Sequence, residues 1–267
     1  TPGHAEFVGE VERVLSMVDS VLLLVDAVDG PMPQTRFVPS KAFAMGFKPI
    51  VVINKIDRPG ARPDWVLDQT FELFDNLGAT DEQLDFPVVY ASALNGYAGM
   101  DADVREGDMT PLFQAIIDNV SHPDVEPNAP FQLQVSSLDY NSYVGLIGIG
   151  RIKQGKVTKN TAVKVIDIDG NIRTGRVLQP LGFNGLDRVP VDVAQAGDII
   201  AFTGMDKLNI SDTLCDPDHV AALPPLTVDE PTVSMTFVVN NSPFAGKEGK
   251  YVTSRNIYDR LQEELLH

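Results

Sequence analysis

Residues 48–57 read Lys-Pro-Ile-Val-Val-Ile-Asn-Lys-Ile-Asp, and no other stretch constrains the fold as tightly. An apolar, mostly β-branched run from Ile50 passes straight into the polar tetrad Asn54-Lys55-Ile56-Asp57. A strand apolar on both faces is covered on both, as in a parallel sheet flanked by helices. In such sheets the ligand crevice lies at the carboxyl ends of the strands. A carboxylate at that end, at Asp57, can accept from the ring N–H and the exocyclic amine of guanine together. Each charge-assisted bond contributes roughly 1.5 to 3 kcal/mol. Adenine offers no such donor pair, and a site built on it rejects the analogue by about 10⁴-fold. In that reading the Lys55 stem lies over one base face, Asn54 braces the loop and the base edge, and Ile56 packs beneath. The competing reading is a polar turn after a strand, so the flanking chain has to discriminate.

The flanks carry an α/β rhythm. An amphipathic segment at 7–17 leads into Val21-Leu22-Leu23-Leu24-Val25-Asp26, an apolar run ending in an acid. A Gly/Pro loop over 27–34 precedes a helical stretch to Gly46. A helix is predicted over 63–77, a short buried strand within 86–94 and a closing helix over 109–120. Three strands, each followed by a helix, imply parallel right-handed crossovers. Asn54 and Ser92 then both fall at strand ends, where Ser92-Ala93-Leu94 would supply small side chains and backbone N–H groups for the guanine carbonyl oxygen.

Composition excludes several classes. The chain has 267 residues, 43% of them hydrophobic, enough for two packed domains. A single cysteine, Cys215, rules out an intramolecular disulfide framework. No signal peptide and no apolar run of spanning length appears, so no membrane is expected and a cytoplasmic location is the default. A net charge of -16 opposes wrapping of DNA and leaves RNA contact to a local basic patch. The chain starts at Thr1 and ends at His267 inside a helical pattern, which reads as a piece of something longer.

Taken together, Thr1-Pro2-Gly3-His4 before a helix, Asp26-Ala27-Val28-Asp29-Gly30 with Gln34-Thr35, Asn54-Lys55-Ile56-Asp57 and Ser92-Ala93-Leu94 resemble a translational GTPase. The wording Glu10-Val11-Glu12-Arg13-Val14-Leu15 and Asp139-Tyr140-Asn141-Ser142-Tyr143-Val144-Gly145 is similar to the BipA/TypA group of ribosome-associated GTPases. The resemblance runs over essentially the whole chain. It implies GTP or GDP with Mg²⁺ as ligand, a γ-phosphate contact through the Gly3 N–H, and His4 positioning the attacking water. Such a role is one of orientation and electrostatics, as phosphoryl transfer generally requires.

Departures from the family pattern limit what these residues do alone. The family's Asp before the position of Thr1, which helps hold Mg²⁺, is not in the sequence, and no Gly-x-x-x-x-Gly-Lys-Ser/Thr phosphate loop occurs; Gly246-Lys247-Glu248-Gly249-Lys250 has the wrong spacing. The chain alone is therefore expected to hydrolyse no GTP and to hold no nucleotide tightly. Glu6 stands where the family usually carries Asp, and Pro39 predicts a kink or a late helix start near Ser40. The strand from Ser20 to Val25 should form an uncovered apolar edge that invites self-association.

The Pro-rich run at 123–130 reads as a linker. Beyond it, short β runs at 131–136, 144–153, 162–168, 172–177 and 198–203, with an Asp169-Gly170-Asn171 hairpin signal, predict a closed β-barrel. Arg151, Lys153, Lys156 and Lys159 give it a possible basic face for phosphate contacts with the ribosome; no aromatic platform accompanies them. After Leu223-Pro224-Pro225, an alternating run at 232–239 and a helix from about Ser254 resemble the opening of a ferredoxin-like domain. The expected plan is thus a P-loop-type α/β G domain with a truncated parallel sheet (1–122), a linker (123–130), a translation-factor β-barrel (131–222) and the start of an α+β domain (229–267). The implied function is ribosome-stimulated GTP hydrolysis in translation regulation or ribosome assembly. The alternatives are an elongation factor G or LepA relative, or a docking module for the ribosome or a protein that hydrolyses nothing.

Overall fold

The structure, a computed structural model, describes residues 8–141, 143–226, 233–240, 242–244, 246–247, 249 and 251–264. The chain divides into two compact units, 1–123 and 124–267.

The first unit runs α1 (Val8–Leu15), β1 (Val21–Asp26), a 3-10 turn (Pro33–Arg36), α2 (Phe37–Ala44), β2 (Pro49–Asn54), α3 (Pro63–Asn76), α4 (Asp81–Leu84), β3 (Val88–Ser92), β4 (Tyr97–Gly99) and α5 (Thr110–Asn119). Its sheet has the order β1-β2-β3-β4, with β1, β2 and β3 parallel and β4 antiparallel to β3. β2 is apolar throughout because it is central and covered twice. Val51 and Ile53 join Val66 and Phe74 of α3 in one core, while Ile50 and Val52 join Ala115 of α5 in another. This two-sided burial fixes the strand register, since a slip of one residue would exchange the faces.

Two expectations are modified here. Helix α2 begins at Phe37 and not near Ser40; Pro39 is buried in its first turn. The amide of a first-turn residue has no intrahelical acceptor in any case, so proline costs no hydrogen bond there. The three-residue β4 and the four-residue α4 also escaped the sequence reading. α4 starts in a capping box, in which the Thr80 hydroxyl accepts from Gln83 N–H and the Gln83 side chain accepts from Thr80 N–H.

β1 lies at the sheet edge, and its outward alternation leaves Leu22 42% and Leu24 61% exposed. Leu23 and Val25 turn to the opposite face and join the α3 core.

The second unit holds β5 (Gln132–Asn141), β6 (Gly145–Gln154), β7 (Lys156–Thr158), β8 (Thr161–Ile166), β9 (Ile172–Val177), β10 (Gln179–Asn184), β11 (Asp187–Pro190), β12 (Val193–Gln195), β13 (Ile199–Thr203) and β14 (Thr213–Cys215). The order β11-β10-β13-β6-β5-β14-β8-β9 makes one eight-stranded antiparallel sheet, and β12 pairs with β7 beside it. Both sheets face one interior, where Leu133, Ile152, Val157, Val177, Ala194, Phe202 and Leu214 share a single core. That is the barrel-like architecture anticipated, with more strands than the sequence reading found. Glycines permit the closest approaches: a Cβ at Gly148 would stand 2.4 Å from the Phe202 ring, and one at Gly150 would stand 2.1 Å from the Gln134 carbonyl oxygen. The Asp-Gly-Asn signal closes the β8–β9 hairpin, with Asp167 Oδ1 accepting from Asp169 N–H at 3.0 Å and Asn171 N–H at 2.8 Å.

Further along, residues 233–240 take no regular secondary structure, although their alternation predicts a strand; a helix, α6 (Ser254–Glu264), follows. A strand needs a ladder partner, and none of the described residues supplies one there.

Candidate guanine-nucleotide site

The carboxyl ends of the three parallel strands bring Asp26, Asn54 and Ser92 together. In the ladders Asp26 stands opposite Asn54, and Asn54 opposite Ala91. The Asn54 side chain is the tie: its Oδ1 accepts from Lys55 N–H at 2.8 Å and from Ala93 N–H at 3.0 Å, so one carbonyl oxygen fastens the loops after β2 and β3. Lys55 takes a left-handed conformation, φ +67°, which is disfavoured for a residue with a Cβ and needs holding. Its ammonium provides a second anchor, donating to Asp26 Oδ2 at 2.6 Å. Asp26 Oδ1 in turn accepts from Val28 N–H at 2.8 Å and shapes the following loop. Ile56, 3% exposed, packs under the tetrad in the core of Val51 and Ile53, while its N–H reaches Ala91 O at 3.3 Å.

Asp57 is exposed at the rim of this crevice. The hydroxyl of Ser92 beside it holds its carboxyl below the usual carboxylate range; slight desolvation opposes this, and the Asn95 side chain and the Arg58 charge assist. Ser92 itself is fully buried, and its Oγ accepts from Asn95 N–H at 3.3 Å and Asn95 Nδ2 at 2.9 Å. For Asp26, burial pushes the carboxyl up, but the Lys55 ammonium and the Val28 and Asp29 amides outweigh it and leave it lowered. Asp57 thus presents a carboxylate of lowered pKa to solvent at the strand ends, where Leu94 of the loop after β3 is 91% exposed. Such a rim can accept two N–H donors from a planar base edge.

The structure therefore gathers Asn54, Lys55, Ile56, Asp57, Ser92, Ala93 and Leu94 in one place. Gly3 and His4 lie outside the described residues. The expected basic face is not built as drawn. Arg151 is only 8% exposed and its Nε donates to Gly197 O at 3.3 Å, although it shares a face of β6 with Lys153, opposite the core-facing Ile152; Lys153 and Lys156 are exposed. Sequence reasoning missed Asp26 as the partner of Lys55 and Asn95 as the partner of Ser92. The acid closing the apolar β1 run was the available signal for the first; nothing local marked the second. Among the described residues no three His, Cys, Asp or Glu side chains cluster to hold a metal ion.

Residues 1–122 match the family described as the elongation factor Tu GTP binding domain, and residues 145–215 match elongation factor Tu domain 2. The large ribosomal subunit assembly factor BipA of Escherichia coli strain K12 is 68% identical over 267 residues, covering 100% of this chain and 44% of the relative. Its namesake in Buchnera aphidicola is 59% identical over 268 residues, with 100% and 44% covered. The chain thus spans about 44% of the length of these relatives. Among solved structures, translation elongation factor SelB of Methanococcus maripaludis, in complex with the GTP analogue GppNHp, superposes with a TM-score of 0.63 at 22% identity, over 82% of this chain and 46% of that one, a likeness of fold. On the whole-chain identity and the two matched domains, the chain belongs to the BipA/TypA family of translational GTPases.

Proposed function

We propose that this chain forms the base-recognition part and the second domain of a factor that binds GTP and GDP, docks on the ribosome and hydrolyses GTP during assembly of the large subunit. The observation that carries the reading is the Asn54 bridge between two loops, with the Asp57 carboxylate held ionised at their rim. Asp57 accepts from the guanine ring N–H and amine, the Lys55 stem covers one face of the base, and Ile56 supports the loop from below. Ala93 N–H already has Asn54 Oδ1 as acceptor, so the guanine carbonyl oxygen shares that donor or takes Leu94 N–H.

Gly3 and His4 take the γ-phosphate and the attacking water, and Mg²⁺ neutralises the phosphates when bound. Lys153 and Lys156 offer exposed cations to ribosomal phosphates. The relatives' name, large ribosomal subunit assembly factor, supports the ribosome as partner and the cytoplasm as location. Domain limits follow the same plan: a G domain to residue 122, a linker to 130, a barrel to 222 and a third domain from 229. Because these 267 residues carry no Gly-x-x-x-x-Gly-Lys-Ser/Thr loop, they bind nucleotide weakly and hydrolyse none when isolated.

Equilibrium titration of the natural full-length protein with fluorescent GDP and ADP tests the core of this reading. GDP should bind at least about 10⁴-fold more tightly than ADP. Equal affinity for the two would sink it.

A further inference from the structure

In the second unit the β5–β14 ladder sets Gln134 opposite Thr213 and Gln132 opposite Cys215, with Leu133 and Leu214 between them turned into the barrel core. Gln132, Gln134, Thr213 and Cys215 therefore lie on the outer face of the sheet, yet none is more than 8% exposed. The segment that follows β14 covers them. Gln132 Nε2 donates to Ala221 O at 2.9 Å, and Leu223 N–H donates to Thr213 Oγ1 at 3.1 Å. Gln134 Nε2 donates to Pro224 O at 2.7 Å, and Leu226 N–H donates to Ser211 Oγ at 2.9 Å. Carbonyl and amide thus alternate as the groups that are held, along a stretch with no regular secondary structure. Between 220 and 226 every third residue, Val220, Leu223 and Leu226, is half-buried, and those between are exposed. A period of three around Pro224-Pro225 is that of an extended proline-type helix, which makes no internal hydrogen bonds and leaves its main chain for side chains to hold. Ser211, the last acceptor, sits at φ +77°, a conformation costly for a residue with a Cβ; its N–H bond to Val135 O at 2.8 Å keeps it there.

We propose that the outer face of β5 and β14 is a seat for extended, proline-containing main chain, and that residues 221–226 are a latch on it that releases as one unit while the barrel stays folded. The barrel core is drawn from residues between Phe131 and Leu214 and includes none of the latch. Lifting the latch exposes seat and segment together, so water replaces each lost hydrogen bond and no donor or acceptor is left buried without a partner. Opening is therefore a local event, far less costly than unfolding the barrel. With a third domain from residue 229, as proposed above, the closed latch fixes where that domain leaves the barrel, and the open latch lengthens its tether.

Cys215 is a native reporter of this opening, being 0% exposed on the outer face opposite Gln132, with its Sγ donating to Lys164 O at 3.4 Å. Pulse alkylation with N-ethylmaleimide, read at the Cys215 peptide by mass spectrometry in the natural full-length protein, measures how often the latch is open. Between 0 and 1 M urea the wild-type rate should change less than about twofold, because a local opening exposes little surface; unfolding of the barrel would raise it about fivefold or more. Gln134→Met and Thr213→Val keep the side-chain shape and remove one bond each. Each should raise the rate about fivefold, the worth of one net hydrogen bond, without adding urea dependence. A steep urea dependence in the wild-type protein overturns the latch, even where a variant fails to fold. So does an unchanged rate in both folded variants. No nucleotide enters the measurement, so its failure leaves the guanine-site reading standing.

Discussion

Asp57 is exposed, and the Ser92 hydroxyl first, with smaller help from Asn95 and Arg58, lowers its carboxyl below the ordinary range, so its charge is set by neighbouring polar groups and not by burial. An Asp57→Asn substitution keeps the shape and replaces one acceptor with an NH₂ donor. That donor faces the guanine amine donor to donor, but it matches the 2-carbonyl of xanthine. GDP affinity should fall by at least about 100-fold while xanthosine diphosphate affinity rises, as competition binding would read directly. Unchanged preference would remove Asp57 from the site. The pH behaviour follows the lowered carboxyl. A depressed folded-state pKa contributes stability that is fully present above the unfolded value, near 3.8, and is lost as pH falls through the lower folded value. GDP binding should accordingly outlast a fall in pH through the ordinary carboxylate value near 3.8, where an unshifted carboxyl would already be losing its charge. The Asn-Lys-x-Asp tetrad was legible because its residue types are rare together at a strand end. Asp26 and Asn95 were not: the Lys55–Asp26 bond joins residues 29 apart in sequence, and only the parallel pairing of β1 with β2 brings them face to face.

At the scale of elements, what was legible was whatever exceeded a few residues with a steady period. The apolar runs of β1, β2 and β3 and the amphipathic α3 and α5 announced themselves. Three-residue strands such as β4, β7, β12 and β14 are too short to show alternation and exist because a neighbour offers a ladder. The run at 233–240 makes the same point in reverse, since it alternates but has no described partner. For α2, the proline rule was sound and its position decided the outcome. The β1 edge carries a prediction of its own. Leu22 and Leu24 are 42% and 61% exposed on a strand with one open side among the described residues, a template for pairing with another chain. The isolated 267-residue chain should sediment as concentration-dependent associated species, and the Leu22→Lys/Leu24→Lys pair should return it to monomer. A monodisperse monomer for the unsubstituted chain would contradict this.

For the whole molecule, the decisive fact is that the two units keep separate cores. The barrel interior draws on residues from Phe131 to Leu214, whereas the sheet cores of the first unit draw on residues from Val11 to Ala115. Cooperativity follows shared burial, so each unit should melt as its own transition. Substitutions then act on one transition each. Gly148→Ala drives a methyl to within 2.4 Å of the Phe202 ring in the barrel, where Phe202 is fully buried; such overpacking costs about 1 to 3 kcal/mol and lowers the melting temperature of a domain this size by several degrees. Asn54→Ala removes the acceptor shared by Lys55 and Ala93, a loss of about 1 to 3 kcal/mol confined to the first unit. Sites that share no partners act independently, so in the double variant each transition should shift by its own single-variant effect and no more. Scanning calorimetry of the wild-type chain and these three variants, at a concentration low enough to suppress association through β1, reads this directly. A single transition, or a barrel substitution that moves both transitions, would mean that the two units unfold as one.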